Sequence, residues 1–488
     1  MPAHRQGRVF SREWIESLTR CDTTELERTG DLAVPSEHVK EAYDLAAAYF
    51  GAGETWFVTT GTTIAIRVMI ASALFEGDAI IMPRAVHMAA VHAVALLGLN
   101  PHFVTSSDGR RFEDGQPDAE SFIAAMRTRP DAKAVYVTCP DYYGRTIDLR
   151  MIAVEAHRLG MTLLVDEAHG AHFAAAPGIL PPTALSQGAD FVVQSAHKTL
   201  PALTPASLLH LSKDGIACGR LCPLRVAAMV RVFQTSSPSF MIAASTDLAR
   251  AVISRQGYAP WQRLAELNRQ VVDLLPAYYQ RVAPPGSDKS RLVIDYSRLG
   301  RGRKEMVAKL DYAGIDAELV DHRRIVFIPA VDHPESDYEI LARTLSSVLP
   351  AENSLFAERH VQRLIELENL RDSLFSARAS WLLTPRQALF GDPSHAERSE
   401  TMAKVADHAE NHCGGAMKMA SYAIAPYPPG MPIAWPGENI GERHDTYIQM
   451  LQESNVAVVE KEVCHEQSPV DVDCLLPELL LPGFILFP

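Results

Sequence analysis

The sequence predicts an α/β protein built on a mainly parallel β-sheet. Between about residues 37 and 270, helical patterns alternate with short apolar runs, in the order "HVKEAYDLAAAYFG", "TWFVTT", "TTGTTIAIRVMIASALFEG", "AIIMP", "AVYVTCP", "TLLVDEAH" and "FVVQSAHK". The first and third of these are helical, and the last four are too apolar for strands with one face in water. Such strands are typical of a parallel sheet covered by helices on both faces, where ligands bind beyond the carboxyl ends of the strands.

The chain is too long for one hydrophobic core, because its 488 residues exceed the size at which single cores stop growing. We predict an N-terminal arm over 1–36 and a large domain over 37–270. A smaller α+β domain over 271–350 holds the strands "RLVIDYS" and "RRIVFIPA" around the helix "GRKEMVAKLDYAG". A C-terminal domain over 351–488 is first charged and helical, then rich in proline and glycine in "IAPYPPGMPIAWPGENIGE".

Composition narrows the class of protein. The formal net charge of −13 argues against a nucleic-acid-binding protein, which would carry a basic surface, and it is compatible with a cationic substrate. The seven cysteines include no C-x-x-C pair, so neither a disulfide framework nor a zinc site is indicated. No apolar stretch resembles a signal peptide or a membrane span. We therefore expect a cytoplasmic protein without a metal site that binds neither nucleic acid nor membranes.

A lysine stands just beyond the last apolar strand, in "VVQSAHKTLPALTP". At the mouth of a parallel sheet, partial desolvation lowers the pKa of Lys198, and its free amine can form a Schiff base with an aldehyde cofactor. Asp166 ends the preceding apolar strand, where an aspartate can hold the protonated nitrogen of a pyridoxal ring. A surface lysine or a capping aspartate would explain either residue alone, but explains the pair less well.

Two further segments suggest contacts to such a cofactor. Gly61, Thr62 and Thr63 open a helix, where backbone N–H groups and hydroxyls can hold a phosphate. The alternative is that Thr63 simply caps the helix. His87 follows a strand and starts another helix, so it could stack on a flat aromatic cofactor; a capping or buried histidine is the alternative.

The motifs together resemble the pyridoxal-phosphate-dependent Orn/Lys/Arg decarboxylase family. The similarity lies in "SAHKTLPALTPASLLH", "PAHRQG", "VDEAHGAH", "FQTSSPSF", "LTPRQALF" and "IAPYPPGMPIAWPGE", and covers most of residues 2–443. It implies an aspartate aminotransferase-like large domain of fold type I, in a short form without the N-terminal receiver-like domain of larger members. Two segments depart from the family pattern: "RAVHMAA" has apolar residues around the histidine, and "PAH" replaces P-G-H.

The resemblance implies a role for each candidate residue in binding pyridoxal 5'-phosphate. Lys198 would carry the cofactor, Asp166 would pair with the ring nitrogen, and His87 would stack on the ring. The groups expected around the phosphate within one subunit are those of Gly61, Thr62, Thr63, Ser195 and His197.

The resemblance also assigns residues around the substrate and the subunit interface. His169 would lie near the cofactor's phenolic oxygen or the substrate carboxylate. Ser236 and Ser237 would reach the phosphate from the neighbouring subunit, which makes a homodimer the smallest working unit. Glu438 would meet the distal cation of the substrate.

The implied reaction is α-decarboxylation of arginine, lysine or ornithine to the corresponding amine and carbon dioxide. Oxidation or transamination of a cationic amino acid on the same framework stays open, because the protein selects the bond that breaks by orienting it. A non-catalytic homologue acting as a regulatory partner is a third alternative, which the intact set of Lys198, Asp166 and His87 disfavours. Nothing in the sequence separates the three basic amino acids.

Overall fold

The structure is a computed structural model of the chain. It describes residues 3, 5–8, 10–20, 22–35, 37–106, 112–351, 354–390, 418–420, 422–427, 431–453, 457–459 and 463–465.

A seven-stranded sheet forms the centre of the molecule. Its strands are β1 Glu54–Val58, β2 Ala79–Met82, β3 Asn100–Phe103, β4 Ala134–Thr138, β5 Thr162–Asp166, β6 Phe191–Gln194 and β7 Ser207–Leu211. They are ordered β1-β7-β6-β5-β4-β2-β3, and β7 alone runs against its neighbours β1 and β6. The predicted mainly parallel sheet is therefore confirmed, with β7 as an antiparallel insertion that the sequence analysis did not anticipate.

Helices cover this sheet on both faces. In chain order, the described helices up to residue 274 are α1 Arg12–Ser17, α2 Glu37–Phe50, α3 Thr62–Ala73, α4 Met88–Leu97, α5 Ala119–Thr128, α6 Leu149–Arg158, α7 Ala196–Thr199, α8 Lys213–Ala217, α9 Pro223–Phe233, α10 Phe240–Gln256 and α11 Ala259–Leu274. Successive residues of β4 enter different cores: Tyr136 packs in the cluster that includes α3 and α4, while Val135 packs in the cluster that includes α5 and α6. This alternation explains why the strands are apolar on both faces.

A smaller antiparallel sheet follows, with the order β10-β11-β9-β8. Its strands are β8 Gln280–Arg281, β9 Leu292–Asp295, β10 Leu319–Val320 and β11 Arg324–Phe327. Among the described residues from here on, the helices are α12 Arg303–Tyr312, α13 Glu335–Ser346, α14 Ser354–Ser376, α15 Pro385–Phe390 and α16 Glu442–Glu453. The further strands in this part of the described chain are β12 Lys418–Ala420, β13 Ala425–Tyr427, β14 Asn439–Ile440, β15 Ala457–Val459 and β16 Val463–His465.

The predicted domain limits stay predictions. The limit between residues 270 and 271 falls within α11, which ends at Leu274. In the described ranges, no helix has the length and apolar character needed to cross a membrane.

Parallel pairing determines where the candidate site residues meet. Asp166 is the last residue of β5 and pairs in register with Val193 of β6. Ser195 follows β6 and precedes the single turn of α7, which carries Lys198. Because β5 and β6 end side by side, the aspartate and the lysine lie at one edge of the sheet.

A buried histidine holds the antiparallel strand in place. His210 of β7 is fully buried, with Nδ1 2.8 Å from the Thr55 hydroxyl of β1 and Nε2 3.1 Å from Oε1 of Gln194 in β6. The amide oxygen can only accept, so the ring proton lies on Nε2 and Nδ1 accepts from Thr55. Burial lowers the pKa of His210 to about 3, so the ring is neutral in the folded protein.

This histidine predicts a loss of stability in acid. The folded-state pKa lies below the unfolded value of about 6.5, so protonation favours the unfolded chain as the pH falls below that value. Between pH 7 and pH 5, His210 should lower the free energy of unfolding by about 2 kcal/mol. We expect urea unfolding of the His210→Gln variant to show a correspondingly smaller difference between these two pH values. An unchanged difference would contradict a buried, neutral His210.

Candidate active site

A cavity of about 390 Å³ lies beyond the carboxyl ends of β4, β5 and β6. Its size is within the range of small-ligand pockets. The predicted site residues that the structure brings to its wall are Gly61, Thr62, Thr63, His87, Asp166, His169, Ser195, His197 and Lys198.

A chain of hydrogen bonds links the lysine through His169 to Arg291. Nζ of Lys198 lies 3.0 Å from Nε2 of His169, whose Nδ1 lies 3.2 Å from Nη2 of Arg291. The guanidinium can only donate, so Nδ1 of His169 accepts and the ring proton lies on Nε2. Burial and the nearby charges of Lys198 and Arg291 hold the pKa of His169 well below its usual range. In this arrangement Nε2 of the neutral ring faces Nζ as a donor, and Nζ accepts that hydrogen bond only when the amine has lost its proton.

Burial also favours the uncharged form of the Lys198 amine. It lowers the pKa of Lys198, although the negative charges of Asp166 and Glu318 oppose this effect. A lysine with a lowered pKa presents more free amine at neutral pH, which is the form that attacks an aldehyde.

Asp166 is fixed by two hydrogen bonds at the end of β5. The residue is 3% exposed; Oδ2 accepts from the Tyr136 hydroxyl at 3.1 Å, and Oδ1 accepts from the backbone N–H of Ala168 at 3.1 Å. Burial and the charge of Asp166 raise the pKa of Tyr136 well above its usual value, so the phenol stays a donor. These two hydrogen bonds fix the orientation of the carboxylate at the cavity wall.

The start of α3 is suited to an anion. Gly61 has a φ of +85°, a conformation that side chains rarely adopt, and a Cβ there would lie 3.3 Å from Cβ of Pro205. The buried Thr60 hydroxyl has no hydrogen-bond partner among the described residues. Thr62 hydrogen-bonds with the Ser195 hydroxyl beside the first N–H groups of the helix. An unpartnered hydroxyl, a close glycine and a helix N-terminus together fit a phosphate group.

Two histidines flank this region. His87 caps α4, since its Nδ1 accepts from the backbone N–H of Ala89 at 3.1 Å, and its ring is also exposed to the cavity. The capping and cavity-facing interpretations therefore both hold for this residue. Nδ1 of His197 donates to the Ala206 carbonyl at 2.7 Å. Burial lowers the pKa of both histidines, which favours the neutral form of each ring.

Three predicted residues do not lie on the wall of this cavity. Ser236 and Ser237 are exposed in the segment between α9 and α10. Glu438 is 2% exposed, and both of its oxygens lie within 2.6 Å of Nη1 of Arg84. Within the chain, the carboxylate of Glu438 is thus already paired with a buried cation.

The wall also carries acidic residues that the sequence analysis did not single out: Asp114, Asp141 and Glu318. Asp141 lies just beyond β4, so the signal that identified Asp166 could have found it. Asp114 and Glu318 lie in the segments "FEDG" and "DAELV", which do not follow apolar strands. Only the tertiary structure brings them to the cavity.

The chain is similar to known decarboxylases. Residues 1–278 match the model of the Orn/Lys/Arg decarboxylase major domain, and residues 407–458 match that of the C-terminal domain. An uncharacterized protein of Bacillus subtilis, YaaO, is 32% identical over 90% of this chain and 88% of its own length. The arginine decarboxylase of Bacillus anthracis is 28% identical over 94% and 90% of the two chains.

Solved structures confirm the predicted fold class. The lysine decarboxylase LdcF of Francisella novicida superimposes with a TM-score of 0.70 at 20% identity, covering 93% of this chain and 74% of that one. The alanine–glyoxylate aminotransferase of Nostoc superimposes with a TM-score of 0.53 at 16% identity, covering 69% and 92%. The large sheet therefore has the aminotransferase-like architecture of fold type I.

Proposed function

Because the chain belongs to the Orn/Lys/Arg decarboxylase family, we propose that it uses pyridoxal 5'-phosphate to remove the α-carboxylate of a basic amino acid. The observation that supports this proposal is the position of Lys198, which contacts His169 and shares one cavity with Asp166 at the ends of two adjacent strands. When bound, pyridoxal phosphate supplies an aldehyde for the amine and a ring that withdraws electrons from the breaking bond.

The chain's own residues account for binding and orientation in this proposal. The first turn of α3 and the hydroxyls of Thr62, Thr63 and Ser195 would hold the phosphate. Asp166 would hold a proton on the ring nitrogen, and the exposed ring of His87 would lie against the ring face. With the cofactor held by these residues, the cavity wall would orient the substrate and so select the bond that breaks.

Arginine is the first substrate to test, because relatives matched over about nine-tenths of this chain are named arginine decarboxylases. We would incubate the purified protein and pyridoxal phosphate separately with arginine, lysine and ornithine, and measure carbon dioxide and amines by mass spectrometry. We expect one substrate to give its amine with equimolar carbon dioxide. A keto acid, an aldehyde or no product would overturn the decarboxylase proposal.

The exposure of Ser236 and Ser237 is consistent with our proposal that they reach the phosphate of a neighbouring subunit. A mixture of Lys198→Ala and Ser236→Ala/Ser237→Ala subunits should then regain activity. Random pairing leaves about a quarter of the sites intact, each with Lys198 from one subunit and the serines from the other. We would measure activity after unfolding and refolding the two variants together.

A mixture of Lys198→Ala and Asp166→Ala subunits is the matched control, because both residues belong to the same subunit's site. That mixture should stay inactive. Equal recovery in both mixtures, or full activity of the double serine variant alone, would refute the shared site.

A further inference from the structure

The acidic residues of the cavity differ in how completely they are neutralised. Asp114 is surrounded by three guanidinium groups, with oxygen to nitrogen distances of 2.7 Å to Arg324, 2.7 Å to Arg371 and 2.9 Å to Arg145. These cations hold the pKa of Asp114 well below its usual range despite its burial. Asp114 is therefore a structural anion whose charge is already balanced.

Two other carboxylates are also occupied. Asp141 accepts from Nε of Arg145 at 2.6 Å and from the backbone N–H groups of Tyr143 and Arg145. Asp166 is fixed by Tyr136 and is the proposed partner of the cofactor ring. Asp141 is thus already paired with a cation, and Asp166 would be occupied by the cofactor ring in the proposed function.

Glu318 is the exception on this wall. It immediately precedes β10 and is half-buried, and its Oε1 accepts from the Tyr142 hydroxyl at 2.9 Å. In the part of the chain that the structure describes, no cation lies within ion-pair distance of it and Oε2 has no hydrogen-bond partner. Its carboxylate is thus oriented by a neutral phenol and forms no ion pair with a described residue.

The negative charge of Glu318 acts on two other residues of the cavity wall, Lys198 and His197. It raises the pKa of Lys198 and of His197, in opposition to their burial. A half-buried carboxylate with no ion-pair partner among the described residues attracts a cation more strongly than one in bulk water. An ammonium or guanidinium group at the far end of a substrate provides that cation.

We propose that Glu318, oriented by Tyr142, binds the side-chain cation of the substrate and so determines the preference for basic over neutral amino acids. This inference deepens the proposed function and rests on it. Glu438 is less suited to the role within one chain, because a substrate cation would have to compete with the buried Arg84.

The test compares Glu318→Gln with the matched control Glu339→Gln, which removes the same charge from an exposed position on α13. Because the contact is to a partly buried charge, Glu318→Gln should raise KM for the cationic substrate about 10- to 100-fold and change kcat little. Preference for arginine over its neutral isostere citrulline should fall by a similar factor. The control should keep wild-type values.

A binding measurement separates this inference from the proposed function. Agmatine, cadaverine and putrescine carry the cation without the α-carboxylate, so calorimetric titration into the cofactor-free protein reports the cation contact without turnover. We expect Glu318→Gln to weaken the tightest of these amines about 10-fold or more. Glu318→Asp keeps the charge and should keep the preference for cations. It also serves as the test if the Gln variant fails to fold.

The outcomes are distinct. If the wild-type protein forms no amine from any basic amino acid, the proposed function fails, whatever the titrations show. If it does form an amine but KM and amine affinity in Glu318→Gln match those of Glu339→Gln, the role of Glu318 is refuted. Loss of cation preference in Glu318→Asp as large as in the Gln variant would also refute it.

Discussion

Replacing Lys198 with alanine is expected to abolish both covalent attachment of pyridoxal phosphate and turnover. Lys198 is the only lysine on the described wall of the cavity, and its Nζ lies 3.0 Å from Nε2 of His169. Without it, no other described primary amine on the wall can bond to the aldehyde. We therefore expect activity below detection rather than a partial loss.

Borohydride reduction followed by mass spectrometry of the intact protein measures this attachment directly. The wild-type protein should gain the mass of one reduced cofactor, and the Lys198→Ala variant should not. Lys133→Ala is the control, since Lys133 is exposed and precedes β4 at the opposite edge of the sheet. A Lys198→Ala protein that still binds the cofactor covalently and turns over substrate would refute the whole assignment.

Local sequence patterns predicted much of the fold, because buried parallel strands leave a local signature. The runs that became β2, β4, β5 and β6 are apolar on both faces, and the sheet is covered on both faces. The strand β7 was not anticipated. Its residues "SLLHL" form a strand only through pairing with β1 and β6 and the contacts of His210, which are tertiary interactions.

In the site, too, local patterns predicted some residues, and tertiary contacts bring in the others. Asp166 and Lys198 were found because each follows a buried strand, so the sheet itself predicts their proximity. The side chains that control them come from elsewhere: Arg291 is brought to His169 from the segment before β9, and Glu318 from the segment before β10. Their contacts join residues more than a hundred positions apart, which no local pattern encodes.

The segment that departs from the family pattern begins with a buried ion pair. Arg84 lies in the segment "RAVHMAA", and its guanidinium is almost completely buried against Glu438. Trp435 donates from its indole nitrogen to the Arg84 carbonyl at 3.1 Å. The unusual segment before His87 is therefore bound to the proline- and glycine-rich region near the C-terminus. The role assigned to Glu438 by resemblance did not take this pairing into account.

Replacing Asp166 with alanine is expected to separate cofactor binding from catalysis. The phosphate contacts proposed at α3 and the covalent bond proposed at Lys198 would not depend on Asp166, so the variant should still bind pyridoxal phosphate, with reduced affinity. Loss of the carboxylate removes the charge that keeps the ring nitrogen protonated, which should lower kcat by about 10²- to 10³-fold. Turnover at the wild-type rate would rule out this role.

A graded series shows whether the charge of Asp166 or its hydrogen bonds matter. Asp166→Asn is nearly isosteric and can keep contacts to Tyr136 and Ala168, but it has no negative charge; we expect it to be almost as slow as the alanine variant. Tyr136→Phe removes one hydrogen bond to the carboxylate and leaves its charge, so the loss should be only about 10-fold or less. If instead the Asn variant were as active as wild type, the carboxylate would serve to fix the end of β5, and the electronic role proposed for it would fall.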